Sequence, residues 1–110
     1  MPFYMLQGQY TAKAIKALVD KPQDRTGPAK KLFDATGVTM HHLFFCFGRD
    51  DVMVIVEAPN DEAVAASVLA LGASGAFGGM MTTKLLTSAE AQAAMTKAHD
   101  AAKAYVPVTA

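Results

Sequence analysis

Two runs of strand-forming residues with four turn residues between them constrain this chain most. Met40-His41-His42-Leu43-Phe44-Phe45-Cys46-Phe47 and Val52-Met53-Val54-Ile55-Val56-Glu57 are rich in aromatic and β-branched side chains, which suit a pleated, half-buried surface. Gly48-Arg49-Asp50-Asp51 separates them and supplies turn chemistry, Gly by permitting positive φ and Asp by bonding nearby backbone. The stretch 39–58 therefore reads as a hairpin. A loop symmetric about Arg49 and Asp50 sets Phe47 opposite Val52, Cys46 opposite Met53, Phe44 opposite Ile55 and His42 opposite Glu57. Because side chains alternate along a strand, one face then carries His42, Phe44, Cys46, Met53, Ile55 and Glu57. The other carries His41, Leu43, Phe45, Phe47 and the three valines, and it is the more purely apolar, so it is expected to lie under helices. A one-residue bulge would exchange the faces of one strand and dissolve the His42–Glu57 pair.

The rest of the chain arranges itself around that hairpin. Phe3 to Tyr10 alternates and reads as a first strand, with Thr11 as N-cap of a helix bearing Ile15, Leu18 and Val19. Pro22 interrupts that helix, and a second piece follows Gly27, with Pro28 in its first turn, Ala29, Leu32 and Phe33 on its apolar side and Gly37 just past its end. After the hairpin, Asn60 is the expected N-cap of a helix whose first turn holds Asp61 and Glu62 and whose buried stripe is Val64, Val68 and Leu71. Residues 72–79 are too glycine-rich to suggest a regular element, and Met81 to Leu86 reads as the last strand. Thr87-Ser88-Ala89-Glu90 matches a capping box opening a helix with Ala91, Met95, Ala98, Ala102 and Tyr105 in one stripe, and 106–110 reads as a tail.

Strand, helix, strand, strand, helix, strand is the order of the ferredoxin-like α+β fold, here with an extra C-terminal helix, and the chain is expected to be one domain, 1–110. Helices on one side of such a sheet leave the other side bare. Phe44, Met53 and Ile55 on that bare face mark an interaction surface, and a two-fold homodimer that joins two such faces would hide it.

Composition narrows the function classes. The chain has 52% hydrophobic and 18% charged residues, which is globular, and its ten basic and ten acidic residues cancel. Without a positive excess there is no electrostatic case for nucleic acid. Cys46 is the only cysteine, so neither an internal disulfide nor a cysteine zinc cluster can form. The start of the chain lacks the pattern of a signal peptide, and no apolar run approaches the roughly 18–20 residues that span a bilayer, so a cytoplasmic location without a membrane partner is expected.

His42 and Glu57 are the leading candidates for chemistry. Facing each other across two strands, an imidazole and a carboxylate suit a general base and its orienter, a pair of metal ligands completed by other groups, or a buried polar pair with no ligand. Gln7 and Gln9 share a parity on the first strand, and Thr82 and Lys84 offer polar groups from the last. Set among Phe44, Met53 and Ile55, they would orient a small apolar ligand in a pocket, or else serve as ordinary packing and strand-end residues. Cys46 stands two residues from His42, too far along a strand for direct contact, and reads as an inert buried thiol. The glycine stretch lacks a Gly-Lys-Ser/Thr ending and follows a helix, unlike a phosphate loop. No flavin, nucleotide or metal motif is complete, and any cofactor is left unknown.

Four short motifs carry a resemblance. Gly8-Gln9-Tyr10-Thr11, Gly48-Arg49-Asp50-Asp51, Val56-Glu57-Ala58-Pro59-Asn60-Asp61-Glu62 and Gly78-Gly79-Met80-Met81-Thr82-Thr83 resemble the strand end, Gly-x-Tyr-Asp turn, Glu-Ala-Pro segment and Gly-rich link of the GYD domain family over roughly residues 2–92. Asp50 stands where that family has Tyr. The resemblance implies a dimeric α+β barrel. The wider superfamily implies small oxygenases, haem-handling enzymes, isomerases and ligand-sensing domains as the range of functions. His42 would then act as base, metal or haem ligand with Glu57 as orienter, or the pocket would bind a ligand without reaction. Fold alone does not choose between these.

Overall fold

The computed structural model describes residues 1–109 and shows four strands and four helices. In chain order these are β1 (Phe3–Tyr10), α1 (Ala12–Asp20), α2 (Thr26–Ala35), β2 (Thr39–Phe45), β3 (Val52–Glu57), α3 (Asp61–Ala73), β4 (Phe77–Leu85) and α4 (Ser88–Ala101), with a 3-10 turn over Ala102–Ala104. The sheet is antiparallel in the order β2-β3-β1-β4, as the ferredoxin-like pattern requires. Residues 106–109 carry no helix or strand; Ala110, the last residue of the expected tail, lies outside the described residues.

Local chemistry sets the element ends. The hydroxyl of Thr11 accepts the Ala14 amide at the start of α1, the Asn60 side chain accepts the Ala63 amide at the start of α3, and Thr87 and Glu90 form a complete capping box at α4. Gly37 follows the last residues of α2 with φ of 75°, a conformation that costs a residue with a Cβ and costs glycine little.

The core is one-sided. Tyr4 and Leu6 of β1 and Val52, Val54 and Val56 of β3 alternate inward against Phe33, Val38 and Val64 from the helical layer. Deeper in that layer, the buried Ser67 hydroxyl lies 2.7 Å from Thr36 Oγ1 and donates to the Ala63 carbonyl, tying the end of α2 to α3. Val68 and Leu71 pack against this core, as the stripe on α3 implied. α1 differs: none of its residues is buried, and Ile15 and Val19 remain exposed.

Two boundaries and the placement of one helix depart from the sequence reading. β2 ends at Phe45, so Cys46 and Phe47 belong to a longer loop in which the Cys46 amide donates to the Asp51 carbonyl at 2.8 Å. Phe47, expected on the helix-covered face, is fully exposed. β4 begins at Phe77 and takes Gly78 and Gly79 into the strand, because β1 offers a ladder there: Gln9 pairs with Gly79 and Tyr10 with Phe77 across a register shift. Finally, among the described residues α4 makes no extensive contact with any strand or other α-helix, and the molecule extends to 59 Å. Met95, in the middle of its expected stripe, is 67% exposed.

Candidate functional site

The side of the sheet away from the helices is open. Alternation brings Phe3, Met5, Gln7 and Gln9 of β1 to it, together with Met53, Ile55 and Glu57 of β3 and Met81, Thr83 and Leu85 of β4. None of these residues is buried. Phe44 joins them from β2, opposite Met53, and is 56% exposed. The open face is thus apolar through its middle and uncovered.

The hairpin register corrects the expected His42–Glu57 pair. Phe45 pairs with Val52, Phe44 with Met53 and His42 with Ile55, after which Met40 pairs with Val56 and Thr39 with Glu57. His41 is the extra residue of a bulge between Met40 and His42, where two residues oppose one. The bulge turns His41 onto the open face, where its Nε2 lies 2.9 Å from Glu57 Oε1 and its ring 5.7 Å from that of Phe3. His42 stays on the same face and stacks on Phe44 with ring centres 5.9 Å apart. Two adjacent histidines therefore share one face, and the imidazole that holds Glu57 is His41, which the sequence reading placed on the opposite side. The pair is partly exposed on both members, so as a lone surface contact it adds little stability.

Gln7 and Gln9 lie on this face as expected and receive the loop between the hairpin strands. Gln7 Nε2 donates to Asp50 Oδ2 at 3.1 Å and Gln9 Nε2 donates to the Arg49 carbonyl at 3.0 Å. Arg49 pairs with Asp50 at 3.2 Å and reaches toward the Met81 sulfur. Asp50, at the position where the resemblance has Tyr, thus brings a carboxylate over the open face. Asp51 secures the loop beneath, accepting the Tyr10 amide at 2.8 Å and donating its own amide to the Gly8 carbonyl.

Thr82 and Lys84 do not belong to this site. They pair with Leu6 and Tyr4, residues of the helix-facing side, and line a cleft between α3 and β4. There the Tyr4 hydroxyl donates to Asp61 Oδ1, and Lys84 Nζ donates to the same oxygen at 3.2 Å. Bonding to Asp61, then burial and the Asp61 charge, push the Tyr4 phenol up to about 12; the Tyr4 bond, then Lys84, hold Asp61 below the usual carboxylate value. The sequence could not join these groups, because they meet through the pairing of β1 with β4, two strands far apart in the chain.

The signs of these shifts predict pH effects. A raised tyrosine contributes stability that is present below pH 10 and fades as pH rises toward 12; a depressed aspartate contributes stability that is lost as pH falls below its ordinary 3.8. In an ultraviolet titration one of the three tyrosines should ionise near pH 12 in the folded protein, and Tyr4→Phe should remove that step. A titration complete well below pH 12 would contradict the Tyr4–Asp61 bond.

Among the described residues no group of three His, Cys, Asp or Glu side chains could hold a metal ion, so one chain offers His41 with Glu57 and His42 as separate donors. No described helix is long and apolar enough to cross a membrane.

Comparison with known proteins gives a family and a fold. The GYD domain model matches residues 4–95. Among solved structures, MtbAldR aligns with a TM-score of 0.54 at 15% identity over 79% of this chain and 52% of its own. FFRP-DM1 aligns at 0.54 and 11% identity over 78% of this chain and 100% of its own. A homoserine dehydrogenase from Thiobacillus denitrificans aligns at 0.52 and 10% identity over 77% of this chain and 17% of its own. The chain thus spans about half of MtbAldR, and at these identities the likeness concerns the fold alone. No curated protein matches it.

Proposed function

The chain belongs to the GYD domain family, and on that premise we propose that it acts as a homodimer, open sheet face against open sheet face, holding a small, largely apolar ligand between the sheets. The observation that carries this reading is the composition of the open face: Phe3, Met5, Phe44, Met53 and Ile55 form an uncovered apolar field, with polar groups at its two ends. At one end stand His41, His42 and Glu57; at the other, Gln7, Gln9, Arg49 and Asp50. Apolar walls with a few placed polar groups are what a small-molecule site requires. A second copy supplies the missing wall and removes apolar surface from water, at roughly 25 cal/mol for each Å² covered.

The bond from His41 to Glu57 favours one catalytic reading within this site. An imidazole with one nitrogen anchored on a carboxylate is oriented to exchange a proton through the other, the arrangement of an isomerase base. Binding without reaction is the simpler role, and it places Glu57, His41 and His42 as orienting groups. Native mass spectrometry of the protein as isolated, beside His41→Ala, tests the site. A dimer with a reproducible added mass, and about tenfold lower occupancy in the variant, is expected; tenfold corresponds to roughly 1.4 kcal/mol, one good hydrogen bond. Added mass that His41→Ala leaves unchanged would remove the ligand from this end of the sheet.

A further inference from the structure

On the opposite side of the sheet, between α2 and α3, lies a cavity of about 300 Å³. Its floor is Leu43 and Val54, and its walls include Leu32, Leu71 and Phe77. Small residues keep it open: Pro28 and Ala29 begin α2 where larger side chains would fill the gap. Gly8 lets the Phe77 ring lie flat, since a Cβ there would sit 2.8 Å from that ring, and Phe77 stacks on Tyr10 at 4.8 Å.

Three polar side chains line it, Arg25, Tyr10 and Ser74, of which the Ser74 hydroxyl is already engaged, donating to the Leu71 carbonyl and accepting the Ala76 amide. Arg25 donates to the Gln23 side-chain oxygen at 2.6 Å and, among the described residues, forms no ion pair. The neighbouring acids are engaged by backbone amides. Asp24 accepts from Thr26 at 2.9 Å, and Asp51 accepts from Tyr10 at 2.8 Å. A guanidinium has five N–H donors in a fixed fork, so donors remain here beside an apolar cavity. The Tyr10 phenol lies next to Arg25. Burial holds it above its ordinary value and Asp51 adds to that, against the pull of Arg25, so it remains a donor at neutral pH.

We propose that this cavity binds a small monocarboxylic acid with a compact aromatic or branched body, its carboxylate on Arg25 and Tyr10 and its body among Leu32, Leu71 and Phe77. A planar carboxylate matches the guanidinium fork, and the volume lies at the small end of ligand pockets, too small for a nucleotide or a haem. The apolar walls select against inorganic anions, which gain nothing from them. The site is separate from the open face and does not depend on a dimer.

Amide NMR titration of the full chain with phenylacetate, and with 2-phenylethanol as its uncharged counterpart, tests the proposal. Phenylacetate should saturate shifts at residues 29–33 and 70–77 and bind about tenfold more tightly than the alcohol. Arg25→Met, which keeps the apolar stem, should bring the acid down to the affinity of the alcohol, and Arg25→Lys should fall between. The proposal is overturned if phenylacetate does not bind at millimolar concentration, if acid and alcohol bind equally, or if Arg25→Met leaves the acid unaffected. Shifts confined to residues 3–7 and 53–57 would also overturn it, by moving the acid to the open face.

Discussion

Ile55→Asp is expected to turn the proposed dimer into monomers without unfolding the chain. Ile55 sits mid-sheet, paired with Met5 on one side and His42 on the other, on the face away from the helices. In a single copy that face meets water, so a carboxylate there is solvated and costs the fold little. Against a second sheet, the same carboxylate is buried without a partner, at an effective cost of several kcal/mol. Two-fold symmetry applies that cost twice. Sedimentation analysis should give twice 11.6 kDa for the unmodified chain and 11.6 kDa for the variant, with an unchanged circular dichroism spectrum. A variant that stays dimeric would mean that the two copies meet through some other surface, of which α4 is the first to consider.

Phe33→Ala should produce the largest loss of stability. Phe33 is 1% exposed and stands where α2 meets Val38, Val54 and the rest of the inward-facing core. Removing a buried phenyl ring costs roughly 3–5 kcal/mol, through lost transfer energy and the cavity left behind. A small domain has only about 5–15 kcal/mol in total, so the variant should be close to unfolding at ambient temperature. Urea unfolding should show a much lower midpoint at the same slope. A loss below about 1 kcal/mol would mean that the helical layer is held from elsewhere. The comparison residue is Phe44, equally large but half exposed on the open face; its truncation should weaken association and leave the single domain nearly as stable.

The contrast between these two phenylalanines shows what the sequence carried. Phe33 sits in a helix with apolar spacing between a Pro at the start and a Gly beyond the end, so its burial was readable from local pattern. The three valines of β3 declared the helix-covered face in the same way, and the caps at Thr11, Asn60 and Thr87 marked the helix starts. The bulge at His41 left no such mark. Neither glycine nor proline announces it, and alternation counted back from the turn places His42, not His41, on Glu57. Two departures exchanged the histidine of the candidate site: the loop takes in Cys46 and Phe47, so that Phe44 meets Met53 and His42 meets Ile55, and the bulge then brings His41 to Glu57. The face of Thr82 and Lys84 was hidden because it follows from the long-range pairing of β4 with β1, Thr82 with Leu6 and Lys84 with Tyr4, which no local pattern declares. Likewise, the stripe on α4 reveals an apolar side and says nothing about what covers it.

The most direct test of the paired-sheet site is methyl NMR with a soluble gadolinium chelate, which broadens resonances that solvent can approach. Met1, exposed at the start of the chain, and Val54, buried under the helices, set the two limits. If a second copy covers the open face, the methyl groups of Met5, Met53 and Ile55 will stay nearly as sharp as those of Val54. If they broaden as Met1 does, the face is open to water in solution, and the site between two sheets does not exist.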